Sequence, residues 1–233
     1  MGSLAQKRGS EYCGIHPTVA RNSVVMKGKA IPKVSGMKPS WLLERFGAWI
    51  YDLFMWPIEV TVARRWRRKL WAGVRGKVLE IGVGTGAGLY AHPPEAEVVA
   101  VDGAAGMLAR AERRAARLGA KVEFVCADLH ALPFPDASFE YVMGSFVLCT
   151  VRKPLGVLRE LARVLRPGGE LRLLEHVRPR SKWLARMLGL LAPHFAKRTW
   201  ELLPKGGWEI VREENLDRWG LARLYIARLR DAD

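Results

Sequence analysis

The sequence predicts an α/β fold built on a doubly wound, mostly parallel sheet, and three stretches predict it. The first is Val78-Leu-Glu-Ile-Gly-Val-Gly-Thr-Gly-Ala-Gly-Leu89, which reads as a strand, a glycine turn and the start of a helix. Gly82, Gly84 and Gly86 let the backbone turn tightly and approach a ligand that any Cβ would hold off. The second is Val98-Val-Ala-Val-Asp102, an apolar run closed by a carboxylate 20 residues after Gly82. That is the spacing at which an acid after the second strand meets ribose hydroxyls in nucleotide-binding sheets. The third is Val122-Glu-Phe-Val-Cys-Ala-Asp128, again a β-rich run closed by an acid. In an open parallel sheet, ligands bind outside the carboxyl ends of the strands, so these polar tips line one crevice.

The remaining elements follow in order. Residues 1–40 are rich in Gly, Ser, Lys and Pro without periodicity and predict a flexible basic arm. Residues 41–75 predict N-terminal helices: Leu42, Phe46, Trp49, Ile50 and Leu53 recur at helical spacing, and Arg64-Arg-Trp-Arg-Arg-Lys69 follows Pro57. An aromatic helix followed by a basic cluster suits a membrane interface; a helix packed on the sheet would look the same. Residues 76–233 hold the sheet. Ala87–Ala91 starts a short helix ended by Pro93-Pro94, and Gly103–Leu118 is a longer one with Met107, Leu108 and Ala111 inward and a run of arginines outward. Phe139–Met143 is the fourth strand, Lys153–Leu165 a helix, Pro167-Gly-Gly169 a turn, and Glu170–Val177 the fifth strand. Trp183–Leu191 has the pattern of an amphipathic helix. Runs from Trp208 and from Leu221 alternate as strands and complete a seven-stranded sheet whose last pair is antiparallel.

Glu80-x-Gly82-x-Gly84-x-Gly86, Asp102, Ala127-Asp128 and Leu165-Arg-Pro-Gly-Gly169 before a strand together resemble the class I S-adenosylmethionine-dependent methyltransferases, over roughly residues 45–230. Within them the chain is most similar to the type 11 group, whose relatives include quinone-biosynthesis methyltransferases, bacterial phosphatidylethanolamine N-methyltransferases and membrane-associated thiol methyltransferases. Phe146-Val-Leu-Cys-Thr-Val151 and Leu174-Glu-His-Val177 point toward the last two. The resemblance implies a Rossmann-like seven-stranded sheet with an antiparallel last strand and an N-terminal helical cap. It implies S-adenosylmethionine as cofactor and S-adenosylhomocysteine as its product. Glu80, Gly82, Gly84 and Gly86 would form the cofactor turn, Asp102 and Gly103 would meet the ribose, and Met107 would rest on the adenine. Asp128 and Leu129 would meet the adenine amino group, Ser145 and Phe146 would lie by the methyl donor, and Tyr51 would belong to the helix that caps the site. The connection from Arg178 to Lys197 would shape the acceptor pocket, and it is shorter here than in the type 11 pattern.

His176 ends the fifth strand on the edge facing the acceptor, where an imidazole half-ionised near neutrality can take a proton; a structural, hydrogen-bonded histidine is the competing reading. Cys149 reads as packing and not as a nucleophile. Enzymes that methylate exocyclic base amines typically carry Asn/Asp-Pro-Pro-aromatic after the fourth strand. Gly144-Ser-Phe-Val147 disfavours that class.

The 233 residues are 49% hydrophobic, ample for one core. Three cysteines make no even-numbered framework, no Cys/His pair has zinc-ligand spacing, and the polar N-terminus carries no secretory or membrane-spanning signal. These features predict a cytoplasmic protein, or one peripheral on the inner face of the membrane. The net charge is +15, with 15 Lys/Arg against 4 Asp/Glu in residues 1–77 and 23 against 19 in the rest. Such asymmetry is either a solvated surface or attraction to an anionic one, lipid or nucleic acid. The leading expectation is methyl transfer to a lipid or small lipophilic acceptor at a membrane surface. Transfer to RNA, with nucleic acid the less favoured partner, and cofactor binding without turnover are the alternatives. Oligomeric state is not legible.

Overall fold

The strands predicted from apolar runs assemble into one mixed sheet in the computed structural model, which describes residues 63–177, 199–217 and 222–230. Helix α1 (Arg64–Leu70) leads into β1 (Gly76–Ile81), followed by a single 3-10 turn (Leu89–Ala91), β2 (Ala96–Asp102), α2 (Ala105–Leu118), β3 (Val122–Cys126) and β4 (Phe139–Ser145). Then come α3 (Pro154–Val164), β5 (Leu165–His176), a 3-10 turn (Thr199–Glu201) running into α4 (Leu202–Lys205), β6 (Trp208–Asn215) and β7 (Ala222–Leu229). The sheet order is β3-β2-β1-β4-β5-β7-β6, and β7 runs antiparallel to both of its neighbours. Strand order reverses between β1 and β4, so the carboxyl ends of β1, β2 and β4 open on a switch-point crevice.

Alternation along the strands divides the core. Val78, Val98, Met143 and Leu174 face Trp66, Leu70 and Trp71 of the α1 segment. Leu79, Ile81, Val142 and Leu171 face the other layer, with Leu158 and Leu161 of α3 and Leu203 of α4. Trp208 and Tyr225 are the largest fully buried side chains and fill this second layer beside β7.

Four local expectations are adjusted. The basic cluster Arg64–Lys69 is helix α1, packed on the sheet: Arg67 is buried, Trp66 Nε1 donates to Leu216 O at 3.0 Å, and Lys69 pairs with Glu214. The helix expected from Gly103 begins at Ala105: Ala104 is its extended N-cap, its C=O accepting from the Leu108 N–H at 3.2 Å and its N–H donating to Asp102 Oδ1 at 2.9 Å. The helix expected after the glycine turn is only one 3-10 turn, stopped by Pro93-Pro94. Finally, β5 begins at Leu165, with Pro167-Gly-Gly169 bulged inside the strand between the Phe139–Leu165 and Tyr141–Glu170 pairs. Glycine is required at 169, where a Cβ would lie 2.8 Å from Glu140 O.

Candidate active site

The glycine turn is held from two sides. Gly82 adopts φ +62, and a Cβ there would lie 2.4 Å from Val147 Cγ2, so the turn after β1 packs directly on the turn after β4. Gly84 adopts φ +55, yet a Cβ on it would meet nothing within 4 Å. Its glycine therefore serves a backbone conformation and an open face, not protein packing. Asp102, at the tip of β2, bridges the two strand ends: Oδ2 accepts from the Gly84 N–H and Oδ1 from the Ala104 N–H, each at 2.9 Å. Each oxygen keeps a second lone pair for a hydroxyl donor. Gly103, half-buried, lies between these anchors. Met107, in the first turn of α2, is 37% exposed, an uncovered apolar side chain five residues past Asp102.

Glu80 lies beneath the turn, not on its open side. It is buried, and His92 Nε2–H donates to its Oε2 at 3.0 Å. The His92 ring packs against Trp71 with centroids 4.2 Å apart, tying the floor of the glycine turn to the α1 layer. Sequence reasoning missed His92; 12 residues separate the pair, and no motif signals it.

Beyond β3, Asp128 Oδ1 accepts from the His130 backbone N–H at 2.9 Å and from its ring nitrogen at 2.8 Å. Burial alone would raise the Asp128 pKa, but these bonds outweigh it and hold the carboxyl below its usual range. Leu129, half-buried, leans on the second core layer.

Ser145 ends β4, and Phe146 follows with φ +57, a left-handed conformation that a bulky residue rarely adopts. Two features fix it. Its N–H donates to Leu174 O at 2.7 Å, and its ring stacks on His176 at 4.1 Å between centroids. His176, at the end of β5, is 8% exposed, so its ring forms a wall of the crevice more than a free tip.

Next to it, Glu175 points into the opposite layer, 1% exposed. Its Oε1 accepts from the Val147 and Leu148 N–H groups at 3.2 and 2.9 Å, and Oε2 from the Cys149 N–H at 3.2 Å. One buried carboxylate thus gathers three consecutive amides of the turn that begins at Phe146. Burial pushes its pKa up to about 7 although these N–H bonds favour the ionised form. The sequence marks Glu175 only as an acid inside an apolar strand; its partners come from a turn 26 to 28 residues earlier. Cys149 is buried in the same turn, as packing.

The structure therefore brings Gly82, Gly84, Gly86, Asp102, Gly103, Met107, Ser145, Phe146 and His176 to the carboxyl ends of neighbouring elements, with Glu80 below them. Tyr51 and the Arg178–Lys197 connection lie outside the described residues. The open face at Gly84, the Asp102 carboxylate on the tip of β2 and the uncovered Met107 are residues that would suit S-adenosylmethionine, offering a bare backbone, a hydroxyl acceptor and an apolar side chain.

The sheet order with antiparallel β7 is the Rossmann-like arrangement found in solved SAM-dependent methyltransferase structures. Residues 79–173 match a family model described as a methyltransferase domain. Among curated relatives, the chain is 35% identical over 129 residues to a phosphatidylethanolamine N-methyltransferase of Cereibacter sphaeroides, covering 54% of this chain and 63% of that one. It is 38% identical over 136 residues to a demethylmenaquinone methyltransferase of Thermus thermophilus, covering 55% and 62%. It is 48% identical over 96 residues to a malonyl-[acyl-carrier protein] O-methyltransferase of Halorhodospira halophila, covering 40% and 32%. The chain thus spans less than two thirds of each of these relatives. Among solved structures, a SAM-dependent methyltransferase from Aquifex aeolicus superposes with TM-score 0.57 at 19% identity, over 82% of this chain and 98% of that one. The complex of the Haloferax volcanii Trm112 methyltransferase activator with a methyltransferase gives TM-score 0.63 at 18% identity, over 84% of this chain and all of the other. At these identities the superpositions speak for the fold.

Proposed function

We propose that the protein transfers a methyl group from S-adenosylmethionine to a lipid or small lipophilic acceptor, such as a phospholipid amine, a quinone precursor or a thiol. The observation that carries this reading is the aromatic pair at the carboxyl ends of β4 and β5: Phe146, locked in a left-handed conformation, stacks on buried His176 at 4.1 Å between centroids. Relatives named for phosphatidylethanolamine and demethylmenaquinone substrates support the same acceptor class.

The bound cofactor supplies a methyl group already activated by its sulfonium. The protein's own task is then to hold the acceptor in line and keep water out, and positioning supplies most of the rate. Asp102 fixes the cradle by joining Gly84 to Ala104, and Met107 covers the adenine side. Phe146 and His176 pack against the acceptor. In this reading His176 also takes the proton of an amine or thiol acceptor, with Tyr51 on the cap as a second polar group.

No described helix is long and apolar enough to cross a membrane. A lipid acceptor would therefore be met by surface docking of the described domain.

The test is to incubate the protein with methyl-labelled S-adenosylmethionine and a whole-cell extract, then separate organic, nucleic-acid and protein fractions. Label in the organic fraction is expected, and label confined to nucleic acid would refute the acceptor class. For His176→Ala, turnover should fall with cofactor affinity unchanged; unchanged turnover removes His176 from proton transfer.

A further inference from the structure

The outer face of α2 carries Arg110, Arg113, Arg114 and Arg117, spaced i, i+3, i+4 and i+7 and all exposed. At 100° per residue they form one stripe opposite the buried Leu108, Ala111 and Ala115, while Glu112, the other charge on this helix, points away from it. None of the four is ion-paired to a carboxylate among the described residues; Arg117 Nε donates only to Arg113 O. The stripe is not flat. Together with Thr85 of the glycine turn, the four guanidiniums border one open groove of about 230 Å³. The β1–β2 crossover holds only a single 3-10 turn among the described residues and no full helix. A crossover between parallel strands usually carries a helix.

We infer that this groove is a docking surface for an anionic lipid bilayer, with headgroup phosphates seated among the four arginines. The inference rests on the lipophilic-acceptor reading above and adds the face by which the protein meets its substrate's phase. Charge complementarity selects an anion: four unneutralised guanidiniums, each with several donors, converge on one concavity in a chain of net charge +15. Nucleic acid is the poorer match, since basic grooves for single strands are interleaved with aromatic rings that stack bases, and none of the five lining residues is aromatic. Location supplies the second argument. Thr85 belongs to the cofactor turn itself, so headgroups in the groove place the crevice at the bilayer boundary, where a lipophilic acceptor leaves the membrane by the shortest path.

The test is flotation of the full chain with vesicles of phosphatidylcholine alone and with a third of the lipid replaced by phosphatidylglycerol, at about 0.15 M salt. Each arginine near an anionic bilayer contributes roughly fivefold to partitioning. After screening, four contribute about a hundredfold. The quadruple variant Arg110→Gln, Arg113→Gln, Arg114→Gln, Arg117→Gln is expected to lose that factor on phosphatidylglycerol vesicles. A control with the same charge change on the opposite helical layer, Arg152→Gln, Lys153→Gln, Arg159→Gln, Lys205→Gln, should lose less than about tenfold. Matching thermal melts show that both variants fold. Equal losses in the two variants, unchanged flotation of the stripe variant, or wild-type binding indifferent to phosphatidylglycerol overturns the inference. So does stripe-dependent binding of single-stranded RNA without flotation. Labelled product in the organic fraction reads the acceptor independently, so the docking face can fail while the acceptor class stands.

Discussion

Glu175 offers the sharpest quantitative test, because its environment sets a pH dependence of known sign. Its folded pKa, about 7, lies above the ordinary carboxyl value of 4.5 because the group is fully buried. Below pH 4.5 folded and unfolded chains both carry the proton. Between 4.5 and 7 only the folded chain keeps it, so the folded state binds more protons and stability falls as pH rises through this window. The separation corresponds to about 3 kcal/mol, fully present at low pH and lost above pH 7. Glu175→Gln, a neutral isostere, abolishes this contribution. Its oxygen can still accept from Val147 and Leu148, but its amide group faces the Cys149 N–H, donor against donor, which costs roughly 1–3 kcal/mol. Urea unfolding of both proteins at pH 5 and pH 8 should therefore show the variant clearly weaker at pH 5 and close to the wild type at pH 8. The difference between the two proteins should change by about 3 kcal/mol between those conditions. Parallel pH profiles would show that Glu175 does not titrate as its burial dictates and would refute the argument.

Four further outcomes follow from the geometry. Gly82→Ala drives a Cβ to 2.4 Å from Val147 Cγ2 at a positive φ and should cost about 3 kcal/mol of stability by urea unfolding. Gly84→Ala meets no protein atom, so it should cost only about 1 kcal/mol yet weaken S-adenosylmethionine at least ~10-fold by calorimetry; unaltered affinity would remove Gly84 from the cradle. Asp102→Asn sets its amide group against the Gly84 or the Ala104 N–H, donor against donor, and should cost roughly 1–3 kcal/mol by urea unfolding while cofactor affinity falls roughly tenfold or more by calorimetry. His92→Ala leaves the buried Glu80 without its imidazole partner and should destabilise by about 2 kcal/mol, with His92→Gln intermediate, both read by thermal melts.

The sequence by itself determined the strand tips and the cofactor turn. Their signals are local: an apolar run of period two, glycines where φ must be positive, and an acid at a fixed distance along one βα unit. Hence the glycine turn at Gly82 and Gly84 and the acid closing β2 at Asp102 were legible, as was the antiparallel final pair. Element ends were legible only approximately, because Asp102 holds Ala104 as the extended N-cap of α2 and the bulge at Pro167-Gly-Gly169 extends β5 backward. What tertiary structure alone decided are the contacts that join distant segments. Glu80 turns inward to His92, Phe146 is held left-handed by Leu174 and His176, Glu175 gathers the amides of the β4 turn, and the α2 arginines, outward by periodicity, share a groove with Thr85. None of these has a sequence signature, since each depends on which strands lie side by side at the switch point and on how little chain spans β1 and β2. Sequence periodicity reports which face of an element is buried; only the assembled sheet reports what lies against it.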